Sequence, residues 1–279
     1  MAERGPTRRA AVLGSPISHS LSPALHRAAY AALGLSWRYE AIEVDEAGLP
    51  AFLAGLDEAW AGLSLTMPLK EAVIELLAEI DEVAAATNAV NTVLPSSSGW
   101  RGTNTDVYGI VAALTHAGLP AAPTVGLILG AGATARSAVA AMAQLGVRRL
   151  LISARRAAAA ESLLPVAGAL GLDAALVDWT CGSSAPTRDL QHLEVTVSTV
   201  PGDAGAAWQA FARGSTGALL DASYHPWPTP LSGAWAGSVI ASGRQMLLWQ
   251  AVEQVHLMTG MPPPVQAMAA ALPPPGLAR

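Results

Sequence analysis

Residues that could do chemistry cluster in three places. In "GSPISHSLSP" (14–23), Ser18, His19, Ser20 and Ser22 stand between two prolines and lead into the apolar stretch "ALHRAAYAALG". Hydroxyls there serve either as a turn with a helix cap or as donors to a bound ligand, and the local residues leave both readings open. In "SLTMPLKE", Lys70 lies just beyond a strand-like run, and in "RGTNTDVYG" Asp106 opens a helix-like one. Lysine delivers a proton to a carbonyl oxygen when its pKa is lowered or when a carboxylate shares the proton. Strand ends of an open α/β sheet are where ligands bind. Each charge also reads as an ordinary surface group, and their spacing does not prove that they meet.

The third place is "LILGAGATAR", where Gly130, Gly132 and Ala135 make a G-x-G-x-x-A pattern between an apolar strand and an apolar helix. Gly130 allows the tight turn, Gly132 lets backbone approach a pyrophosphate, and Ala135 lets helix and strand pack closely. Ala131, Ala133 and Thr134 complete the turn, whose free N–H groups and positive dipole end suit phosphates. The next strand ends "SARRAA". An acidic residue there would bond the ribose 2′-hydroxyl and favour NAD. Arg155 and Arg156 instead suit a 2′-phosphate, so NADP is the expected cofactor and NAD the alternative. Two solvated surface arginines are the competing reading.

The elements that must position these groups alternate in type. Strands are expected at 9–14, 38–44, 62–67 and 89–94, with a helix from Ser22 as N-cap and Pro23 as first helical residue to about Leu33, and another over 70–80. A second unit begins with a helix at 106–118. It continues as strand, glycine turn and helix over 124–146, a strand at 148–154, a helix over 157–171, and strands at 174–179, 194–199 and 217–223. A long apolar helix at 244–260 and a short one between proline runs close the chain; the tail after Leu272 reads as loose. The alternation predicts an α/β protein.

The bulk composition excludes several classes. Of 279 residues, 52% are apolar and 13% charged, with net charge −5, which argues against a nucleic-acid surface. No run of about 18 apolar residues suggests a membrane span, and the polar N-terminus does not read as a secretory signal. The single cysteine, Cys181, forbids an intramolecular disulfide and fits a cytoplasmic location. The six histidines show no metal-ligand spacing, and no metal is expected. There is no P-loop, no G-x-S-x-G and no internal repeat.

Taken in order, "GSPISHSLSPALH", "SLTMPLKE", "AVNTV", "NTD", "GAGATAR", "LDASYHPWPTPL" and "GRQMLLWQA" closely resemble the shikimate dehydrogenase family over essentially the whole chain. The resemblance implies two α/β domains with the active site in the cleft between them. An N-terminal substrate domain (1–106) would be completed by C-terminal helices (243–279) that pack back on it, and a Rossmann-type NADP-binding domain would span 107–242. It implies Lys70 as catalytic lysine with Asp106 as its paired aspartate, and Ser20 and Ser22 as ligands of the substrate carboxylate. Thr66, Asn91, Tyr224 and Gln250 would contact the ring hydroxyls or carboxylate. Ala222, Gly243 and Met246 would line the nicotinamide pocket, and Ser198, Thr199 and Val200 would lie on the cofactor side. The implied reaction is reversible NADPH-dependent reduction of 3-dehydroshikimate to shikimate, by a monomer or homodimer.

Some positions depart from the family pattern. Ser64 stands where asparagine is frequent, Val107 where glycine is, and Ala154-Arg155-Arg156 with Ala159 replaces the usual phosphate-binding Asn-Arg-Thr and later arginine. A quinate or aminoshikimate dehydrogenase with NAD, and a ligand-sensing homologue without turnover, are the alternative functions.

Overall fold

The computed structural model describes residues 7–183, 190 and 192–273. The chain divides into two compact units, one made of Met1–Thr105 with Gln250–Arg279 and one of Asp106–Trp249.

The first unit starts with β1 (Arg9–Gly14), α1 (Ser22–Ala32), β2 (Arg38–Glu43), α2 (Leu49–Ala54), β3 (Trp60–Leu65) and α3 (Leu69–Ala72). It continues with β4 (Glu79–Ile80), α4 (Glu82–Thr87), β5 (Thr92–Ser96) and β6 (Gly99–Thr103). The strands form one sheet in the order β2-β1-β3-β5-β6-β4. Its β2, β1 and β3 are parallel, and β5 runs antiparallel to both β3 and β6. All six residues of β3 are buried, the mark of a strand covered on both faces. In α1 the buried set Ser22, Leu25, His26, Ala29 and Tyr30 follows the spacing of one helical face. Gly34, at φ +69°, ends the helix as expected from its left-handed freedom. Leu13, Leu63, Leu65, Leu69, Val90 and Val93 form the core of the sheet.

The second unit holds α5 (Thr105–Ala117), whose first residue belongs to the other unit, then β7 (Val125–Leu129), α6 (Ala133–Leu145), β8 (Arg149–Ser153), α7 (Ala157–Glu161) and α8 (Leu164–Ala169). Next come β9 (Asp173–Leu176), β10 (Val195–Ser198), α9 (Gln209–Ala212), β11 (Ala218–Asp221), α10 (Pro230–Ala234) and β12 (Ile240–Ser242). Its sheet runs β12-β11-β10-β7-β8-β9, all parallel. The order reverses at β7, the doubly wound arrangement of Rossmann folds. The α/β architecture read from the alternation is therefore observed. The helix α11 (Gly243–Thr259) carries the chain back to the first unit, where α12 (Val265–Ala270) packs on α1.

Three local expectations need correction. The helix expected over 70–80 is only α3, a 3-10 turn (Ile74–Leu76) and β4. Ala78 N–H donates to Trp100 O (2.9 Å) and Asp81 N–H to Gly102 O (3.0 Å), so pairing with β6 captures the segment. Tertiary pairing overrides helix propensity there, and β-branched Val73 and Ile74 weaken the competing helix. The helix expected over 157–171 is two helices, because Pro165 starts α8 and cannot continue α7. Ser22 lies inside α1 rather than at its cap: the Leu21 carbonyl already accepts from Ala24 and Leu25 N–H. The expected loose tail after Leu272 falls, beyond Pro273, outside the described residues.

Candidate active site

In the first unit the chemistry gathers at the carboxyl ends of β1 and β3. Ser15 N–H donates to Met67 O (3.1 Å) and Thr66 N–H to Leu13 O (2.9 Å), which joins the serine loop to the loop before Lys70. Gly14 permits this approach: a Cβ there would lie 2.9 Å from Met67 O and strike the Thr66 methyl. Val90 N–H donates to Lys70 O (2.8 Å), so α3 is tied to the segment just before β5. Lys70 and Thr66 are half-buried. The Ser20 hydroxyl accepts from Ser22 N–H (3.3 Å), which makes Ser20 the side chain that satisfies the opening of α1. The cap and ligand readings are compatible at Ser20, whose hydroxyl accepts the amide with a lone pair and keeps its hydrogen to donate.

Behind Ser22 lies a buried polar network. Tyr39 O–H donates to Ser64 Oγ (2.6 Å), and Ser64 O–H donates to Gln254 Oε1 (2.8 Å). Gln254 Nε2 donates to Thr92 Oγ1 (2.9 Å) and Asn91 O (3.3 Å). His26 Nε2 lies 3.2 Å from Gln254 Oε1, an acceptor, so the ring proton sits on Nε2 and Nδ1 accepts from Tyr30 O–H (3.4 Å). The imidazole stacks on Tyr39 at 4.0 Å. Burial pushes both tyrosine phenols upward, with Ser64 and, more weakly, Ser22 opposing this at Tyr39. Ser64 thus spends its hydroxyl inside the protein.

Burial pulls His26 down to about 3, against which the Gln254 bond acts only weakly. The unfolded chain therefore binds this proton first, and stability present above the unfolded value of about 6.5 is lost as pH falls toward the folded one. The unfolding free energy from urea titrations is expected to drop between about pH 6.5 and about pH 5, with a slope approaching 1.4 kcal/mol per pH unit. His26→Gln should flatten that window; an unchanged slope in the variant would show that His26 is not the group responsible.

Asn91 pins the start of α5. Its Oδ1 accepts from Thr105 N–H (2.8 Å) and Thr92 O–H (2.8 Å), and Nδ2 donates to Thr105 Oγ1 (3.0 Å) and Gln250 Oε1 (3.5 Å). Asp106 follows Thr105 directly and is 5% exposed. Spacing did not single out Tyr39, His26, Gln254 or Thr105. The one available signal was helical periodicity: His26 lies four residues after Ser22, and Gln254 four after Gln250.

In the second unit the glycine turn shapes a cavity of about 430 Å³ lined by Gly130, Ala131, Gly132, Ala154, Arg155, Arg156, Ala159, Thr199, Val200 and Pro201. Gly130 has φ +112°, and a Cβ on it would strike Thr199 Oγ1. Gly132 faces open space, and α6 begins after it with no side-chain cap, so its first N–H groups are available to an anion. Ala135 is fully buried where helix meets strand. Ala133 and Thr134, half-buried, form the first turn of α6. Arg155 and Arg156 are exposed. The residues present fit a dinucleotide with a 2′-phosphate: an open glycine, uncapped helix amides and two guanidiniums surround one cavity.

Ser198 is buried beside Asp221 and does not line this cavity. Ala222 N–H donates to Ser198 O (2.8 Å). A Cβ on Gly243 would strike Ala222 O, so only glycine lets α11 start against this strand end. Met246, one turn on, is buried, and Tyr224 is half-buried with its phenol pushed up by burial. Among the described residues no cluster of three or more His, Cys, Asp or Glu could hold a metal, and no helix is long and apolar enough to cross a membrane.

Residues 12–93 match the shikimate dehydrogenase substrate binding domain, and residues 243–272 match the shikimate 5'-dehydrogenase C-terminal domain. The shikimate dehydrogenase (NADP(+)) of Anaeromyxobacter sp. is 37% identical over 98% of this chain and 99% of its own. The chain also matches the pentafunctional AROM polypeptide of Kluyveromyces lactis at 32% identity, spanning 18% of that longer protein. A shikimate 5-dehydrogenase from Mycobacterium fortuitum is similar in structure, with TM-score 0.86 and 42% identity over 96% of this chain and 98% of the other. The Thermus thermophilus shikimate 5-dehydrogenase in complex with NADP(H) and shikimate gives TM-score 0.78 and 30% identity, over 95% of this chain and 98% of that one. With its strand order, its glycine turn and its end-to-end similarity, this chain belongs to the shikimate dehydrogenase family.

Proposed function

We infer that this protein is an NADP-dependent shikimate dehydrogenase, which reduces 3-dehydroshikimate to shikimate in the pathway to the aromatic amino acids. The observation that carries the reading is the arginine-bearing dinucleotide cavity in a chain similar, end to end, to an NADP-linked shikimate dehydrogenase.

Bound NADPH supplies the hydride for the C3 carbonyl of the substrate. Lys70 donates the proton to the carbonyl oxygen and, as a cation, stabilises the charge that develops there. Asp106 shares that proton. Ser20 and Ser22 donate their hydroxyls to the substrate carboxylate, close to the amide end of α1, and so fix which ring face meets the cofactor. Thr66, Asn91, Tyr224 and Gln250 bond the ring hydroxyls or the carboxylate. Arg155 and Arg156 hold the 2′-phosphate. Residues 1–106 with 243–279 act as the substrate domain and 107–242 as the cofactor domain. The protein works in the cytoplasm as a monomer or homodimer, a location that its single cysteine suits.

The test is the initial rate of absorbance increase at about 340 nm with shikimate or quinate, each with NADP⁺ or NAD⁺. The expected result is a strong preference for shikimate with NADP⁺. Faster turnover of quinate, or of either substrate with NAD⁺, would overturn the assignment in favour of a quinate or NAD-linked enzyme.

A further inference from the structure

We propose that Asp221 and Thr229 form a clasp that positions the loop carrying Ala222 and Tyr224, and so act as positioning residues for substrate binding. The proposal rests on the reading of Tyr224 as a contact to the substrate ring.

Asp221 is the last residue of β11 and is 1% exposed. A carboxylate inside a parallel sheet is costly unless its oxygens are bonded, and burial pushes this one above the usual carboxylate range. Both oxygens are in use. Oδ2 accepts from the Thr229 hydroxyl (2.5 Å) and Oδ1 from Ser223 N–H (3.2 Å). Ser198, on the neighbouring strand, helps the carboxylate only weakly and makes no full hydrogen bond among the described residues.

Thr229 is equally buried, at 1% exposure. Its Oγ1 accepts from Ser232 N–H (3.0 Å) as the cap of α10, while Ser232 Oγ accepts from Thr229 N–H (2.9 Å). One hydroxyl therefore caps a helix with its lone pair and holds Asp221 with its hydrogen. The helix so capped is anchored through Leu231 in the core of the second unit. A single carboxylate thus ties both ends of the segment Ser223–Thr229.

Packing holds the middle of that segment only in part: Tyr224 and Trp227 are half-buried, while His225, Pro226 and Pro228 are exposed. At its base the fit is close: a Cβ on Gly202 would lie 3.2 Å from Ser223 Oγ, and Ala222 O rests where Gly243 lacks a side chain. Tyr224 follows the anchored Ser223 amide by one residue. An apolar pair would hold the strand and helix as well and without the desolvation of a charge. The carboxylate does what such a pair cannot, by directing one amide and one hydroxyl to fixed points on either side of the tyrosine.

The experiment is a double-mutant cycle on steady-state kinetics with Thr229→Val, Tyr224→Phe and the double variant, plus Thr229→Ser. Thr229→Val is expected to raise KM for shikimate about tenfold with a smaller change in kcat, and Thr229→Ser to restore it. If the clasp acts through Tyr224, the double variant is no worse than the more damaged single one. Additive effects, or an unchanged KM in Thr229→Val, overturn the clasp while leaving Tyr224 in the site. A silent Tyr224→Phe removes Tyr224 from the site and the clasp proposal with it. Should Thr229→Val fail to fold, Asp221→Asn leaves the cap of α10 intact and must show the same non-additivity.

Discussion

Replacing Lys70 with alanine is expected to lower kcat for shikimate oxidation by about a thousandfold, within the range that a positioned proton-transfer group contributes. Shikimate affinity should change far less, because the carboxylate and ring hydroxyls are assigned to other side chains. The geometry supports this separation. Lys70 is held through its own carbonyl by Val90 N–H (2.8 Å), and the short helix α3 rests on buried Leu69. Truncating the ammonium therefore leaves the loop in place. The check pairs turnover with a titration of shikimate followed by tryptophan fluorescence. Near wild-type turnover in Lys70→Ala would remove the lysine from the chemistry. A parallel loss of binding and turnover would make it a substrate ligand instead.

The second large effect is expected at the cofactor. Arg155 and Arg156 are exposed and line the cavity beside Ala154 and Ala159. A charge-assisted hydrogen bond is worth about 1.5–3 kcal/mol, so Arg155→Ala/Arg156→Ala should raise KM for NADP⁺ by about 10- to 150-fold. KM for NAD⁺, which lacks the 2′-phosphate, should stay within about twofold, so the preference between the two cofactors collapses rather than activity as a whole. The NADP⁺ penalty should also shrink as salt rises, because exposed charges are screened. An unchanged KM for NADP⁺ in the double variant would reduce the two arginines to surface groups.

The cofactor cavity was legible because its parts are neighbours in the chain. Gly130, Gly132 and Ala135 lie within one strand–turn–helix, and Arg155 and Arg156 close the adjacent strand. Each position follows from the geometry of a single βαβ unit, and the structure puts the turn and both arginines on one cavity. The serine loop was half legible. Hydroxyls before an apolar helix announce a capped start, but Ser20 rather than Ser22 satisfies the backbone, since Leu21 already has helical dihedrals.

The stretch 70–80 shows where local pattern fails. Its apolar residues fit a helical face, yet β6 offers backbone partners to 78 and 81, and the chain takes the sheet edge instead. The buried network was not legible at all. His26 and Gln254 are 228 positions apart, and Tyr39 and Ser64 are 25 apart. Asp221 read as part of a motif, but its hydroxyl partner eight residues on depends on a loop that folds back over the strand end.

Residue order alone set the α/β alternation, the dinucleotide turn and the family to which the chain belongs. The first two rest on periodicities and spacings inside single elements, where 3.6 residues per turn and alternation along a strand are properties of the backbone itself, and the third on the resemblance of seven motifs in order along the chain. Tertiary structure decided which polar groups share a hydrogen bond, which strand captures an ambiguous segment, and which carboxylate is buried. Those outcomes depend on surfaces brought together from distant parts of the chain, where a buried donor must take whichever acceptor the packing presents.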